Sequence, residues 1–407
     1  MSAGQAFASP SGKRYDVIIV GGAVQGSAVA WFLLDNPDFN GSILVVERDP
    51  AYEFCSTSRS NSCIRQQFGC EINILVSRFG AEFVQNLRQF MGGDERVPHL
   101  PIRNFGYLYL AASENTANAL RRAQALQQAC GAGTRLLTPG DIRERYPFLA
   151  VDDIILGSLN TRDEGYFEGM AMFDWLRRSA RERGAEYLAN EVVAMTLNRA
   201  GTHVESVTLA TGETIACGTV VNAAGPRAAK VAGMAGIGEL PVEPRKRFSY
   251  VFSAETPLSR DLPLTIDPTG IHMRSDSAHY LAGCKPDRDD PVDPDDFDDQ
   301  PELWEEKVWP VLAARIPGFE AIRLIRSWVG HYDYNRFDRN AILGPHGEIT
   351  NFLFINGFSG HGLQQAPAMG RGLSEWIIHG EYRSLDLSAF AFDRIVHSIP
   401  FAEDAVI

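Results

Sequence analysis

Two stretches of the chain concentrate residues able to do chemistry. Gly21-Gly22-Ala23-Val24-Gln25-Gly26 follows the apolar run Tyr15–Val20 and precedes a helical pattern, and Glu47 closes the next apolar run, Ser42–Glu47. A turn stripped of side chains at a helix N-terminus lets backbone N–H groups approach a pyrophosphate, and a carboxylate roughly twenty residues on accepts hydrogen bonds from ribose hydroxyls. Glu47 would repel a 2′-phosphate, so the pattern selects FAD or NAD over NADP. Gly21 and Gly26 hold the outer places; Ala23 occupies the middle one, where its methyl crowds the phosphate. Arg48 follows Glu47, and the hydroxyl- and amide-rich Ser56-Thr-Ser58-Arg59-Ser60-Asn61 is placed to wrap a longer cofactor, while Val192, Val193, Ala223 and Gly225 are small or apolar groups suited to flank an adenine and diphosphate. The second stretch is Gly357-Phe-Ser-Gly360-His361-Gly362, which leaves three glycines in six residues after the strand-like Asn351–Asn356 and before a helical pattern at Leu363 and Gln364.

These turns need rigid elements to aim them. Tyr15–Val20 and Ser42–Glu47 are continuous β-branched runs, as in strands buried on both faces of a parallel sheet, and Ser27–Leu34 between them has helical spacing. Strand, turn, helix and strand within about thirty residues make one βαβ crossover. The spacing predicts a sheet segment at Phe105–Leu110, helices over Thr116–Cys130 and Met170–Arg183, and a strand entering a small-residue turn at Gly218–Gly225. Further strand patterns fall at Phe248–Ser253, Gly270–Met273 and His279–Cys284. The acidic run at 287–302 lacks the central glycine and terminal glutamate of a calcium loop and reads as a solvated surface loop; no metal site is expected.

At 407 residues, with 45% hydrophobic side chains, the chain is long enough for two domains with large cores. A formal charge of −13 argues against nucleic acid or an anionic membrane as partner and leaves a small molecule. The six cysteines form neither a CxxC pair nor a His-Cys cluster, which fits a reducing cytoplasm. No apolar run reaches the roughly 18–20 residues of a membrane span. Residues 1–13 lack the apolar core of a secretory signal and read as a flexible tail.

Taken in order, GGAVQG…VVER, STSRSNSCIRQQF, VVNAAGP and GFSGHGLQQAP resemble the D-amino-acid oxidase superfamily of FAD-dependent oxidoreductases, nearest to its sarcosine oxidase, dimethylglycine dehydrogenase and glycine oxidase group. The resemblance runs from Tyr15 to about Phe390. It implies an α/β architecture. A Rossmann-type FAD-binding domain would be assembled from 14–100, 150–240 and 326–395, with a second, mostly antiparallel β-sheet substrate domain from 101–149 and 241–325. It implies noncovalent FAD, because Gly330-His331-Tyr332 replaces the cysteine-bearing segment that attaches FAD in sarcosine oxidases.

The family also implies that Gly360, His361, Gly362 and Leu363, with Gln364, lie under the pyrimidine end of the flavin, where a helix N-terminus stabilises the charge of the reduced ring by roughly 0.3–2 kcal/mol. Arg65 matches the arginine that holds the substrate carboxylate. Arg274 and Tyr332 fall in segments bordering the substrate cavity, Arg274 as the group for a second carboxylate, and His361 is placed at the substrate. The oxygen-activating lysine of sarcosine oxidases is absent from His279–Ala282, and Lys285 comes several residues late. The implied activity is oxidation of the C–N bond of an N-substituted glycine such as sarcosine, dimethylglycine or iminodiacetate. Hydride would pass to flavin N5, the imine would hydrolyse, and O2 would reoxidise the flavin to give H2O2. Two alternatives stay open: a dehydrogenase passing electrons to a quinone or electron-transfer protein, and a flavin-holding assembly factor without turnover. The latter arises because the C-terminal motifs are close to a branch that includes a mitochondrial protein implicated in assembly of respiratory complex I.

Overall fold

In the computed structural model, which describes residues 7–238 and 240–403, Arg14–Val20 lies inside an eight-stranded mixed sheet. The order across the sheet is Ile342–Pro345, Phe352–Asn356, Thr214–Asn222, Arg14–Val20, Ile43–Glu47 and Glu186–Ala189, with the ribbon Val192–Leu197 and Val204–Leu209 paired off Thr214–Asn222. Alternate residues of Arg14–Val20 enter different cores: Val17 and Ile19 pack with Trp31 and Leu373, Ile18 and Val20 with Val207 and Ala232. Burial on both faces is why the run is apolar without a break.

The parallel register lines up the strand ends. Val20 sits beside Val46 and Asn222, and Asn222 beside Phe354, so the turns after residues 20, 47, 222 and 356 open at one edge. Ligands of open α/β sheets bind at that edge, outside the carboxyl ends of the strands. The helices Val24–Asp35, Glu71–Gln85, Gly169–Glu182 and Gly362–His379 share one core with that sheet.

A second eight-stranded sheet runs Ile322–Asn335, Val242–Ala254, His279–Cys284, His272–Asp276, Leu264–Ile266, Tyr107–Ala111, Leu156–Asn160 and Arg135–Leu137. Its neighbours are antiparallel except Leu264–Ile266 and Tyr107–Ala111. Its core gathers Phe248, Phe252, Trp304 and Phe319. Leu156–Asn160, expected in the first domain because it follows residue 150, pairs instead with Tyr107–Ala111 and Arg135–Leu137, and that double pairing is why all five of its residues are buried.

Two expectations about surface segments change. Of the tail expected over 1–13, residues 1–6 lie outside the described residues, whereas Ala8 N–H donates to Ala189 O at 2.9 Å and Ser11 N–H to the Glu186 carboxylate at 2.8 Å. The acidic run at 287–302 is exposed over much of its length but also reaches the first sheet's loops. Arg48 pairs with Asp295 at 3.3 Å, and on the second sheet Phe297 stacks on His331 with centroids 4.2 Å apart. Among the described residues no helix is long and apolar enough to cross a membrane.

Candidate cofactor and substrate site

Between the aligned strand ends and the second sheet lies a cavity of about 910 Å³, within the roughly 300–1,000 Å³ of small-molecule sites. Gly21, Ala23 and Gln25 line it, as do Glu47, Arg48, Ser56, Arg59, Ser60, Asn61, Val192, Ala223 and Gly225. The helix Val24–Asp35 starts at Ala23 with no side-chain cap, the arrangement that leaves an N-terminus for an anion. Gly22 and Gly26 sit behind the lining. Gly22 N–H donates to Glu47 Oε2 at 2.8 Å, and Asp49 N–H to Oε1 at 2.8 Å. Burial pushes the Glu47 carboxyl up, against the pull of those two donors. At Gly26 a Cβ would overlap the Gly21 carbonyl oxygen, so helix and turn meet only because it is missing.

The late turn is bare for a local reason as well. Gly360 adopts φ +97°, and a Cβ there would run into the ring of Tyr332. Gly360, His361, Gly362, Leu363 and Gln364 all line the cavity, as does Tyr332. His361 is the uncapped start of Gly362–His379, and Gln25 Nε2 donates to Gly362 O at 2.8 Å, tying the first turn to the last. Asp333 supports the turn from behind: its Oδ2 accepts Phe358 N–H at 3.1 Å and its carbonyl accepts Ser359 N–H at 3.1 Å.

Burial pushes the Asp333 carboxyl up from 3.8 to about 6. Below the lower value the group is neutral whether the chain is folded or not; as pH rises through the higher one, the fold must carry a buried charge. Stability should therefore fall across that window by on the order of 3 kcal/mol. Asp333→Asn, neutral throughout, should lack the slope. Denaturation midpoints of both proteins across the window read it, and parallel curves would remove Asp333 as the cause.

Beside the late turn, Arg65 is 2% exposed. Its Nη2 lies 2.7 Å from His361 Nε2, its Nη1 donates to Gln67 O at 2.5 Å, and the guanidinium carbon sits 4.2 Å from the centre of the Phe68 ring. Its backbone N–H donates to Gln364 Oε1 at 2.7 Å. The structure thus brings Arg65, His361, Gln364 and Tyr332 to one cavity. Besides Gly22 and Gly26, three expected residues fall outside it. Arg274 is buried behind the wall, its guanidinium turned back by the hydrogen bonds it donates to Asp276 and Ser275 O, each at 2.8 Å. Val193 alternates outward and is 45% exposed. Ser58 turns back to donate to Cys55 O at 3.1 Å.

The second sheet contributes wall residues that sequence reasoning missed: Tyr107, Arg247 and His272. His272 shares a strand face with Arg274, and both meet Asn61: His272 Nε2 lies 3.3 Å from Asn61 Nδ2, and Arg274 Nη2 donates to Asn61 O at 3.2 Å. Burial, with the charges of Arg274 and Arg247, pushes His272 down to about 4, leaving a neutral imidazole near pH 7. Arg247 lies over the Tyr332 ring at 4.5 Å and pairs with Asp289 at 2.8 Å. Period-2 alternation around Arg274 was the available signal for His272.

The cavity fits a flavin dinucleotide on two counts: the uncapped helix start at Ala23, and Gln25 Oε1, buried there without a hydrogen-bond partner. The chain belongs to the DAO family, FAD dependent oxidoreductase, whose model matches residues 16–376, and FAD is its cofactor. It is similar to FAD-dependent oxidoreductase domain-containing protein 1 of Xenopus laevis, 34% identical over 427 residues covering 97% of this chain and 85% of that protein. It is similar too to the mitochondrial sarcosine dehydrogenase of Mus musculus, 24% identical over 72% of this chain and 32% of the other. The crystal structure of L-proline dehydrogenase from P. horikoshii matches with a TM-score of 0.82 at 25% identity, over 95% of this chain and 99% of that one.

Proposed function

We propose that this chain oxidises the C–N bond of a carboxylate-bearing secondary or tertiary amine, a class that includes sarcosine, dimethylglycine and iminodiacetate. The observation that carries the reading is Arg65, a guanidinium held at 2% exposure on the wall of the cofactor cavity, beside the helix start that would meet the flavin. A charge-assisted pair with a substrate carboxylate is worth about 2–5 kcal/mol of binding and orientation. FAD, when bound, supplies the hydride acceptor.

The protein's part is position and field. Arg65 holds the carboxylate, Tyr332 and Leu264 line the same cavity, and the positive charges of Arg65 and Arg247 disfavour an ammonium there. Lowering a substrate amine's pKa by two units costs about 2.7 kcal/mol, and the amine must be neutral to release hydride. Relatives named sarcosine dehydrogenase, sarcosine oxidase and glycine oxidase support this substrate class.

O2 is the acceptor we favour. A dehydrogenase serving a quinone or electron-transfer protein is the second reading, supported by the lack of lysine in His279–Cys284. All six cysteines are free thiols, which supports a reducing, cytoplasmic setting. Anaerobic mixing of the FAD-loaded protein with a panel of N-substituted amino acids should bleach the flavin's visible band. If no amine does so, oxidation is the wrong reading and a flavin-holding assembly role replaces it. Readmitting air separates the acceptors: stoichiometric H2O2 marks an oxidase, whereas slow reoxidation that an artificial quinone accelerates marks a dehydrogenase.

A further inference from the structure

Glu164 is wholly buried, lies outside the cavity lining and has no part in the chemistry above. It stands between the strands Leu156–Asn160 and Gly165–Tyr166. Three N–H donors converge on its carboxylate: Gln66 N–H at 2.6 Å and Asn160 Nδ2 at 2.8 Å on Oε1, and Gln67 Nε2 at 3.0 Å on Oε2. Every partner is a donor, so the geometry suits the ionised form. Burial opposes it and pushes the group up to about 7, with the three donors and the nearby Arg65 charge pulling the other way.

Gln67 is the link to the cavity. Its amide also donates to Tyr107 O at 3.0 Å and its Oε1 accepts from Ser158 Oγ at 2.8 Å, so the side chain has no freedom. Its backbone carbonyl accepts Arg65 Nη1 at 2.5 Å. The Arg65 guanidinium thus meets His361 on one nitrogen and, on the other, the carbonyl of Gln67, a residue that Glu164 holds by its side-chain amide and, one position earlier, by the Gln66 N–H.

We propose that Glu164 is a positioning residue that aims the Arg65 guanidinium at the substrate carboxylate by clamping Gln66 and Gln67. The inference rests on the reading of Arg65 given above. Only a carboxylate satisfies the clamp. Glutamine would turn an NH2 group toward one of the three donors, and a buried donor left facing a donor forces that side chain to move.

The test uses the full chain loaded with FAD and propionate, a carboxylate with no amine to oxidise, whose binding perturbs the flavin's absorption. Its dissociation constant is measured for wild type, Glu164→Gln, Arg65→Ala and the double variant. Each single variant should weaken propionate by about tenfold or more, and Glu164→Gln should add no further loss in the Arg65→Ala background. A merely structural glutamate would lower thermal stability without this coupling. Equal losses in both backgrounds, or an unchanged constant in Glu164→Gln, would overturn the proposal. If Arg65→Ala alone leaves propionate binding intact, the carboxylate role of Arg65 fails first, and the clamp's purpose with it. Should Glu164→Gln not retain FAD, Glu164→Asp, which keeps the charge one methylene back, carries the same comparison.

Discussion

Arg65→Ala is expected to raise the KM for a carboxylate-bearing amine on the order of 10²- to 10³-fold while leaving FAD occupancy unchanged. The two effects separate because Arg65 works with different atoms in different directions. Its side chain meets Gln67 O and His361, whereas its tie to the helix Gly362–His379 is the backbone N–H that donates to Gln364 Oε1. Alanine removes the guanidinium and keeps that N–H. Lysine would restore a point charge without the planar fork, so Arg65→Lys should recover only part of the loss. Initial rates across substrate concentration, with the flavin-to-protein absorbance ratio of each preparation, read both quantities. Parallel loss of FAD and of substrate affinity would mean that the guanidinium holds the fold and not the substrate.

Gly26→Ala should abolish FAD retention and destabilise the chain by at least about 1–3 kcal/mol. The added methyl meets the Gly21 carbonyl oxygen, which is backbone and cannot rotate away, and Ile19 Cγ2 lies 3.0 Å off on another side. Gly21 cannot retreat, because its N–H donates to Val46 O at 2.9 Å and its φ of +102° is already in the region only glycine occupies easily. Relief would require the start of Val24–Asp35 to lift away from the turn, which displaces the N–H groups that would meet a pyrophosphate. Gly233→Ala is the control: nothing lies within 4 Å of a Cβ there, and it should leave FAD in place and stabilise by roughly 0.5–1 kcal/mol. Melting temperature and flavin content measure both variants. A Gly26→Ala protein that purifies fully yellow with an unchanged melting temperature would show that the turn yields where the packing says it does not.

The residues that would meet a cofactor through backbone were legible in the chain because their requirements are local. A missing Cβ at Gly21, Gly26 and Gly360, an apolar run unbroken over Val17–Val20, and an acid at the end of the next strand are each properties of short segments, and the order of those segments defined the family. Side chains that act across space were harder. His272 and Arg274 share one strand face and both meet Asn61, yet only His272 lines the cavity. Of two adjacent valines, Val192 lines the cavity and Val193 is exposed.

Alternation fixes which residues share a face but not what stands opposite that face, and the opposing surface comes from other segments of the chain. The same limit hid the Tyr332 ring beneath Gly360, the contact of Phe297 with His331, and the clamp that Glu164 places on Gln66 and Gln67. Pattern along the chain therefore determined the sheet and the dinucleotide turn, and the family that the ordered motifs resemble supplied the cofactor. Which charged and aromatic groups face one another across the cavity was decided only when the two sheets came together, because direction and distance between remote side chains are not properties of either segment alone.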